Sequence, residues 1–307
     1  MSHLHVPTPL IESIPMSSKS GLKVFLKLEN TQPSGSFKIR GIGHLCSMAK
    51  EEGKTHFISS SGGNAGFAAA YAGRRLGVKT TVFVPGTTAD STIKKILELD
   101  AEVIVRGNVW DETDRYAREL AAETEGLYVP PFDHPLIWEG NSTIVDEISR
   151  QVETPDAIIL SVGGGGLMCG VVEGLHKNGL QHVSLIAVET EGTGSFFASQ
   201  KAGTLVTLAG IEGIATSLGA KRVARQALEW SKEHEIRSVL VTDRQAASAC
   251  VEFAEHHRFL VEPACGASLA VVYNHHEILR QAKTVVVIVC GGIGVDLDKL
   301  REWQQFR

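Results

Sequence analysis

A single lysine stands between two large apolar residues at the predicted start of a helix. Residues 33–41 have the sequence PSGSFKIRG, in which Lys38 follows Phe37 and precedes Ile39. An ammonium group held away from water costs on the order of several kcal/mol unless it is paired, and the nearest acidic residue in the sequence is Glu29. A lysine in this position either extends its amine to solvent or is neutralised by forming an imine with a carbonyl compound. The plain alternative is a helix-capping serine, Ser36, followed by an amphipathic lysine.

Three glycine-rich loops follow predicted strands. They are residues 60–64 (SSGGN), 163–166 (GGGG) and 291–294 (GGIG). Ligands of open α/β sheets bind beyond the carboxyl ends of the strands, which is where these loops are expected. The tetraglycine opens directly onto a predicted helix, so its backbone N–H groups and the positive end of that helix indicate a phosphate site. A tight turn alone would need only one or two glycines.

Short β-branched runs alternate with amphipathic segments along the whole chain. Strands are predicted at residues 24–28, 56–60, 80–84, 101–106, 127–129, 157–162, 183–188, 238–241 and 285–289. Helices are predicted at residues 36–50, 64–76, 92–99, 111–123, 143–151, 167–177, 223–233, 244–257, 267–279 and 298–305. Strands of nearly continuous Val, Ile and Leu separated by helices predict parallel sheets covered on both faces. We therefore expect an α/β protein with two doubly wound open sheets.

Composition excludes several classes of protein. The 307 residues are 43% hydrophobic and 21% charged, which suits one large core or two moderate cores. A net charge of −5 and basic runs no longer than pairs argue against nucleic acid as a partner. No apolar run approaches the roughly 20 residues that span a bilayer, and the N-terminus lacks a secretory pattern. We expect a soluble cytoplasmic protein without a nucleic-acid or membrane partner.

Cysteine and histidine do not form a recognisable metal or disulfide framework in the sequence. The five cysteines are widely spaced and include no Cys-x-x-Cys pair, so most of them are expected to be buried small apolar residues. Two histidine pairs, at residues 256–257 and 275–276, lie on predicted helices without a metal-binding spacing. They are expected on the surface.

Five segments together resemble the fold-type II pyridoxal-phosphate enzymes. They are residues 34–41, 61–66, 163–167, 261–266 and 290–292, which occur in the family's order over nearly the whole chain. The motifs are similar to those of the L-serine dehydratase and L-threonine deaminase group, including its serine dehydratase-like branch. The resemblance implies a tryptophan synthase β-like architecture. It has a large domain of residues 1–34 and 134–307, a small α/β domain of residues 35–133, and pyridoxal 5′-phosphate between the two domains.

The resemblance implies a role for each matching residue. Lys38 would hold the cofactor aldehyde as an imine and would then act as the base that removes the substrate Cα proton. Asn64 would bind the hydroxyl group of the cofactor ring. The other residues implied in cofactor binding are Phe37, Gly163, Gly164, Gly165, Gly166, Leu167 and Cys290. The residues implied in binding the substrate carboxylate are Ser61, Gly62, Gly63, Asn64 and Ala65.

Cys290 matches the group's partner for the pyridine nitrogen, where many other pyridoxal enzymes have Asp or Arg. A thiol, with an ordinary pKa near 8.5, holds the proton of that nitrogen weakly. The ring would then withdraw electrons less strongly, which favours prompt loss of a β-hydroxyl group over transamination.

The predicted reaction is β-elimination from L-serine, giving pyruvate and ammonia, and from L-threonine, giving 2-oxobutanoate and ammonia. Two alternatives stay open: a serine racemase-type reaction on the same scaffold, and a cofactor-binding protein with little catalysis. The resemblance also implies a homodimer and a monovalent or divalent cation, K⁺ or Mg²⁺, near the phosphate loop. The positions that match its ligands are Glu189, Thr193, Ser195, Leu218 and Ala220.

One position departs from the family pattern. Gly62 stands where other members have alanine. A glycine beside the substrate would loosen the carboxylate loop, which would slow turnover or broaden specificity.

Overall fold

The fold is described for residues 3–306 of a computed structural model. Contacts between residues divide the chain into two compact units. The small unit contains Gln32–Asn141 and the N-terminal residues through Val6, and the large unit contains Pro7–Thr31 and the residues from Ser142 onward. Among residues 3–306, no helix is long and apolar enough to cross a membrane.

Strands and helices alternate along the described residues. The strands are β1 (Leu10–Glu12), β2 (Lys23–Lys27), β3 (His56–Ser59), β4 (Lys79–Val84), β5 (Glu102–Val105), β6 (Leu127–Val129), β7 (Ala157–Ser161), β8 (Ser184–Thr190), β9 (Ile236–Val241) and β10 (Thr284–Ile288). The helices are α1 (Ile14–Ser20), α2 (Lys38–Glu51), α3 (Asn64–Leu76), α4 (Asp90–Leu97), α5 (Trp110–Glu123), α6 (Pro135–Gln151), α7 (Gly166–Lys177), α8 (Ser195–Ala202), α9 (Arg225–Glu233), α10 (Asp243–His257), α11 (Pro263–Tyr273) and α12 (Leu297–Trp303).

The small unit is built on a parallel sheet with the strand order β5-β4-β3-β6. Successive side chains of a strand point to opposite faces of the sheet, and both faces of β3 are buried. Phe57 packs with apolar residues of α2 and α3 such as Ile42 and Ala68. Ile58 packs on the other face with Ala117 of α5. Helices therefore cover this sheet on both sides.

The large unit is built on a six-stranded sheet with the order β1-β2-β10-β7-β8-β9. Five strands are parallel, and β8 is buried along its whole length. The edge strand β1 runs antiparallel to β2, with Leu10 opposite Lys27. This edge strand was not predicted, and the α/β class with two parallel-sheet bodies is confirmed.

Some predicted boundaries were wrong. Helix α6 begins at Pro135 rather than at residue 143, and α11 spans Pro263–Tyr273 rather than residues 267–279. His275 has a φ of 50°, in the left-handed region, which ends the helical path there. Three elements were not predicted, namely β1, α1 and α8.

The structure also corrects the environment of one histidine pair. His256 and His257 are half-buried, and each bonds to a side chain. Nδ1 of His256 lies 3.2 Å from the hydroxyl of Tyr273, and Nε2 of His257 lies 2.8 Å from Oγ of Ser13. All five cysteines are buried free thiols, as expected.

Candidate active site

Lys38 is the first residue of α2 in the small unit. The residue before it, Phe37, makes no side-chain cap hydrogen bond, and the turn that leads into the helix uses Gly35 with a φ of 70°. The lysine is half-buried, and its Nζ donates a hydrogen bond of 2.6 Å to the backbone carbonyl of Pro131. The same Nζ lies 5.3 Å from the centre of the Phe37 ring. The amine is therefore held in place beside an aromatic ring rather than extended freely into water.

A buried hydroxyl next to this lysine has no partner of its own in the structure. Ser36 is 1% exposed, and its Oγ has no hydrogen-bond partner among the described residues. Buried polar atoms are normally satisfied. An unsatisfied hydroxyl two residues before Lys38 is thus consistent with a polar ligand that binds at this end of α2.

The second part of the site in the small unit is the loop between β3 and α3. Gly63 caps α3 without a side-chain hydrogen bond, so the first N–H groups of the helix are suited to an anion. A Cβ on Gly66 would lie 1.7 Å from the carbonyl oxygen of Ser61, which shows how closely the helix approaches the loop. A Cβ on Gly62 would lie 3.0 Å from Cγ2 of Thr88. The predicted carboxylate loop is therefore closely packed, with α3 against the Ser61 carbonyl and the Thr88 side chain beside Gly62.

In the large unit, the tetraglycine connects β7 to α7. Gly165 caps the helix with a φ of 89° and without a side-chain hydrogen bond. A Cβ on Gly165 would lie 2.8 Å from the Cβ of Ala227, and a Cβ on Gly163 would lie 3.1 Å from the Cα of Leu218. These positions exclude larger residues, and the N-cap Gly165 brings no side chain of its own to the positive end of the helix dipole. This arrangement fits a phosphate group.

Cys290 lies in the large unit, two residues beyond the end of strand β10. Hydrogen bonding to Cys265 and burial raise the pKa of the Cys290 thiol well above its ordinary value. The thiol is therefore protonated at neutral pH. It provides a neutral, weakly polar partner, which fits a pyridine nitrogen that is not held as a cation.

A carboxylate that sequence reasoning missed supports the loop after Cys290. Glu262 accepts a hydrogen bond of 2.6 Å from Oγ of Ser217. A Cβ on Gly292 would lie 2.0 Å from the carboxyl carbon of Glu262, so the loop packs directly on this group. The only signal in the sequence was the position of Glu262 within the 261–266 motif, to which no role had been attached.

The five residues matched to a cation site lie in the large unit. Burial raises the pKa of Glu189 to about 7, and its carboxylate accepts hydrogen bonds from the backbone N–H groups of Phe196 at 2.9 Å and Phe197 at 2.7 Å. Oγ of Ser195 is buried without a partner among the described residues. No cluster of three or more His, Cys, Asp or Glu placed to hold a metal occurs within residues 3–306. The remaining matched positions lie at the turn before α8 and around the short helix Thr216–Leu218; they are Thr193, Leu218 and Ala220.

Each unit holds a defined set of candidate groups of its own. The small unit holds Phe37, Lys38 and residues 61–65, and the large unit holds residues 163–167 and Cys290. An amine, a glycine-walled anion site and a neutral thiol are groups that enzymes with a phosphorylated carbonyl cofactor can use.

Comparison with known proteins gives the family. Residues 1–291 match the family described as pyridoxal-phosphate dependent enzyme. The chain is 48% identical to the L-serine dehydratase/L-threonine deaminase of Bos taurus, with 97% of this chain and 94% of that protein covered. It is also 48% identical to the serine dehydratase-like protein of Rattus norvegicus, with 97% and 93% covered. The crystal structure of a fungal L-serine ammonia-lyase from Rhizomucor miehei has a TM-score of 0.95 at 40% identity, with 99% of each chain covered. The chain belongs to the pyridoxal-phosphate dependent enzyme family, and the resemblance to the serine dehydratase and threonine deaminase group is confirmed.

Proposed function

We propose that this protein is a pyridoxal 5′-phosphate-dependent ammonia-lyase for small hydroxy amino acids. It converts L-serine to pyruvate and ammonia and L-threonine to 2-oxobutanoate and ammonia. The observation that carries the proposal is the half-buried amine of Lys38 at the start of α2, in a chain with dehydratase relatives over nearly its full length.

The cofactor is proposed to be held by the residues that match the family's motifs. Backbone N–H groups of Gly163 to Gly166 and of Leu167 bind the phosphate, at a helix start whose N-cap residue is a glycine. Phe37 packs against the ring, Asn64 bonds to the ring hydroxyl and Cys290 contacts the pyridine nitrogen. When bound, the cofactor supplies an aldehyde that condenses with amines and a ring that accepts electrons from the substrate Cα.

Lys38 has two proposed tasks. Its Nζ would hold the cofactor covalently through the cofactor aldehyde. The same amine, when free, would act as the general base that removes the proton from the substrate Cα. In the structure, the free amine of Lys38 is held by its hydrogen bond to the Pro131 carbonyl.

The substrate carboxylate is proposed to bind to the loop before α3. Ser61 offers a hydroxyl, and Gly62, Gly63, Asn64 and Ala65 offer backbone N–H groups near the start of the helix. Binding the carboxylate there orients the Cα–H bond of an L-amino acid relative to the base. This loop therefore selects amino acids over simple amines.

The electronic part of the proposal rests on Cys290. Its thiol has a raised pKa and stays neutral, so it does not hold a positive charge on the pyridine nitrogen. A weaker electron sink favours rapid departure of the β-hydroxyl group. Elimination is thus favoured over transamination.

Three finer predictions accompany the proposal. A K⁺ or Mg²⁺ ion near the phosphate loop is supported by the buried carboxylate of Glu189 and the unsatisfied hydroxyl of Ser195, both of which suit a hard cation. The other proposed ligands are Thr193, Leu218 and Ala220. A homodimer and a cytoplasmic location stay predictions from the resemblance.

The deciding experiment incubates the cofactor-loaded protein with L-serine and L-threonine and measures keto acid, ammonia and the chirality of the remaining amino acid. We expect equal amounts of keto acid and ammonia. D-serine without ammonia would favour the racemase alternative, and cofactor absorbance without any product would favour a binding protein. Either result would overturn the proposed reaction.

The role of Lys38 is tested with Lys38→Ala and a matched variant on the same helix. Lys50 is exposed at the other end of α2, so Lys50→Ala removes a lysine without touching the site. Lys38→Ala is expected to abolish turnover and the covalent bond trapped by borohydride, whereas Lys50→Ala keeps both. Normal turnover by Lys38→Ala would remove the assigned base.

A further inference from the structure

Three side chains of the small unit converge directly behind the loop before α3. Ser60 is fully buried, and its Oγ donates a hydrogen bond of 2.7 Å to Oδ1 of Asp114 on α5. The hydroxyl of Tyr128 donates a second hydrogen bond to the same oxygen. Tyr128 lies on β6 and pairs with Ile58 of β3 in the sheet. One carboxylate oxygen therefore joins a helix, a neighbouring strand and the end of β3.

A cation fixes this carboxylate from its other side. Nε of Arg118 donates a hydrogen bond of 2.7 Å to Oδ2 of Asp114, and its guanidinium carbon lies 4.0 Å from the centre of the Tyr128 ring. The side chain of Asp114 is only 13% exposed. Burial and the hydrogen bond to Asp114 raise the pKa of Tyr128, so its hydroxyl stays a donor throughout the neutral pH range.

The network acts where the loop begins. Ser60 is followed directly by Ser61, whose carbonyl oxygen packs so closely on α3 that only glycine fits at position 66. The loop is thus held at Ser60 by Asp114 and at Ser61 by the helix. Gly62 and Gly63, which carry no side chains to hold them, follow immediately. Their backbone direction depends on these two anchor points.

We propose that Asp114 and Tyr128 are positioning residues that fix the carboxylate-binding loop through Ser60. This inference rests on the proposed function of the loop and adds two residues to which the resemblance assigns no role. The network sets the direction of the N–H groups of residues 61–63. This direction matters because small displacements of groups that orient a substrate are costly for binding and turnover. It acts on recognition of the substrate carboxylate and leaves the bond between Lys38 and the cofactor intact.

The test compares Tyr128→Phe and Ser60→Ala with the control Tyr116→Phe in the holoenzyme. Tyr116 lies on α5, and its ring stacks with the guanidinium groups of Arg106 and Arg115 rather than joining this network. Binding of L-serine and of ethanolamine, which has the amine and hydroxyl but no carboxylate, is followed by the change in cofactor absorbance. Hydrogen exchange of a peptide covering residues 60–66 is measured on the same proteins.

We expect Tyr128→Phe and Ser60→Ala to weaken L-serine binding about tenfold, the size of one lost hydrogen bond to a charged group. Ethanolamine binding should change less than twofold, and exchange in the peptide should accelerate. Tyr116→Phe should match the wild type in all three measurements. Equal weakening of L-serine and ethanolamine binding would overturn the inference. Unchanged binding of both ligands together with an unchanged hydrogen-exchange rate would also overturn it.

The outcome is separable from that of the proposed function. Failure of the wild-type holoenzyme to form keto acid from either substrate would refute the proposed reaction. The ratio of L-serine to ethanolamine affinity and the exchange rates would still report on the network. An active wild type whose network variants keep that ratio would refute the positioning role alone.

Discussion

The buried ammonium of Lys27 joins three parts of the large unit, and its removal has a calculable effect. Its Nζ donates hydrogen bonds to the carbonyl of Thr8 at 2.8 Å, to Oε2 of Glu147 at 2.6 Å and to Oε1 of Gln151 at 2.8 Å. The lysine ends β2, whereas its two side-chain partners lie one turn apart on α6. The Lys27 side chain is 0% exposed and that of Glu147 is 15% exposed. We predict that Lys27→Met, which keeps the length of the side chain, destabilises this unit.

The size of the destabilisation depends on the hydrogen bonds that Glu147 and Thr8 keep after the substitution. Removing one partner of a buried ion pair costs about 3–5 kcal/mol, because the other charge loses its compensation. Glu147 keeps a hydrogen bond of 3.1 Å from the Thr8 N–H and partial access to water. The Thr8 carbonyl keeps a bond of 3.1 Å from Nε2 of Gln151. We therefore expect a loss near the lower limit, about 3 kcal/mol, equivalent to an equilibrium constant about 150-fold smaller.

The measurement is hydrogen exchange of β2 and α6 peptides together with urea unfolding of the holoenzyme. Lys23→Met is the matched control, because Lys23 is an exposed lysine on the same strand. The double variant with Glu147→Leu removes both charges and should cost less than the sum of the two single variants. Strict additivity, or a Lys27→Met protein as stable as Lys23→Met, would contradict the buried-pair reasoning.

Three further changes have defined outcomes. Gly165→Ala should release cofactor about tenfold or more readily in absorbance measurements, since overpacking costs about 1–3 kcal/mol and the new Cβ would lie 2.8 Å from another side chain. Gly179→Ala has a similar φ of 71° but open space around it and should retain cofactor. Gly66→Ala would place a Cβ 1.7 Å from the Ser61 carbonyl oxygen, so weaker L-serine binding is expected by titration, and unchanged binding would show that the loop is not held there. Burial lowers the pKa of His234 below its ordinary 6.5, so stability should fall as pH drops below 6.5 because the unfolded state then binds more protons. His234→Gln should make the decrease of the urea midpoint between pH 7.5 and 5.5 smaller than in the wild type, and a parallel profile would contradict this assignment.

Local patterns were sufficient for much of the strand and helix order. The helix predicted at residues 64–76 coincides with α3, because it follows a glycine loop and ends at Gly77, which has a φ of 66°. The three glycine loops were placed correctly after β3, β7 and β10. In each case the glycine loop closely follows a β-branched run. The first two loops are in turn followed by an amphipathic helix.

The missed elements depend on contacts distant in the sequence. Strand β1 has only three residues, and its antiparallel pairing with β2 is set by tertiary packing. Helix α8 has no side-chain cap of its own; its first N–H groups are bonded by Glu189 from β8. The start of α6, in contrast, is indicated by the local sequence, since a proline such as Pro135 is favoured in the first turn of a helix.

The same distinction applies to the candidate site. Motif positions such as Lys38 and the tetraglycine could be found from residue type, order and family resemblance. The groups that support them could not, because Asp114 is 54 residues from Ser60 and Glu262 is 45 residues from Ser217. From the sequence alone, an acidic residue on an amphipathic helix is predicted to lie on the solvent-exposed face.

Two of the three glycine loops share one kind of support. Each is too poor in side chains to hold its own shape, and each contacts a carboxylate from a distant element. Asp114 holds the entry to the loop before α3, and Glu262 packs against Gly292 after Cys290. A buried carboxylate is stable there only because hydroxyl or guanidinium donors satisfy it. Glycine lets the backbone of these loops approach a ligand closely. The carboxylates that contact the loops limit the conformational freedom that glycine gives the backbone.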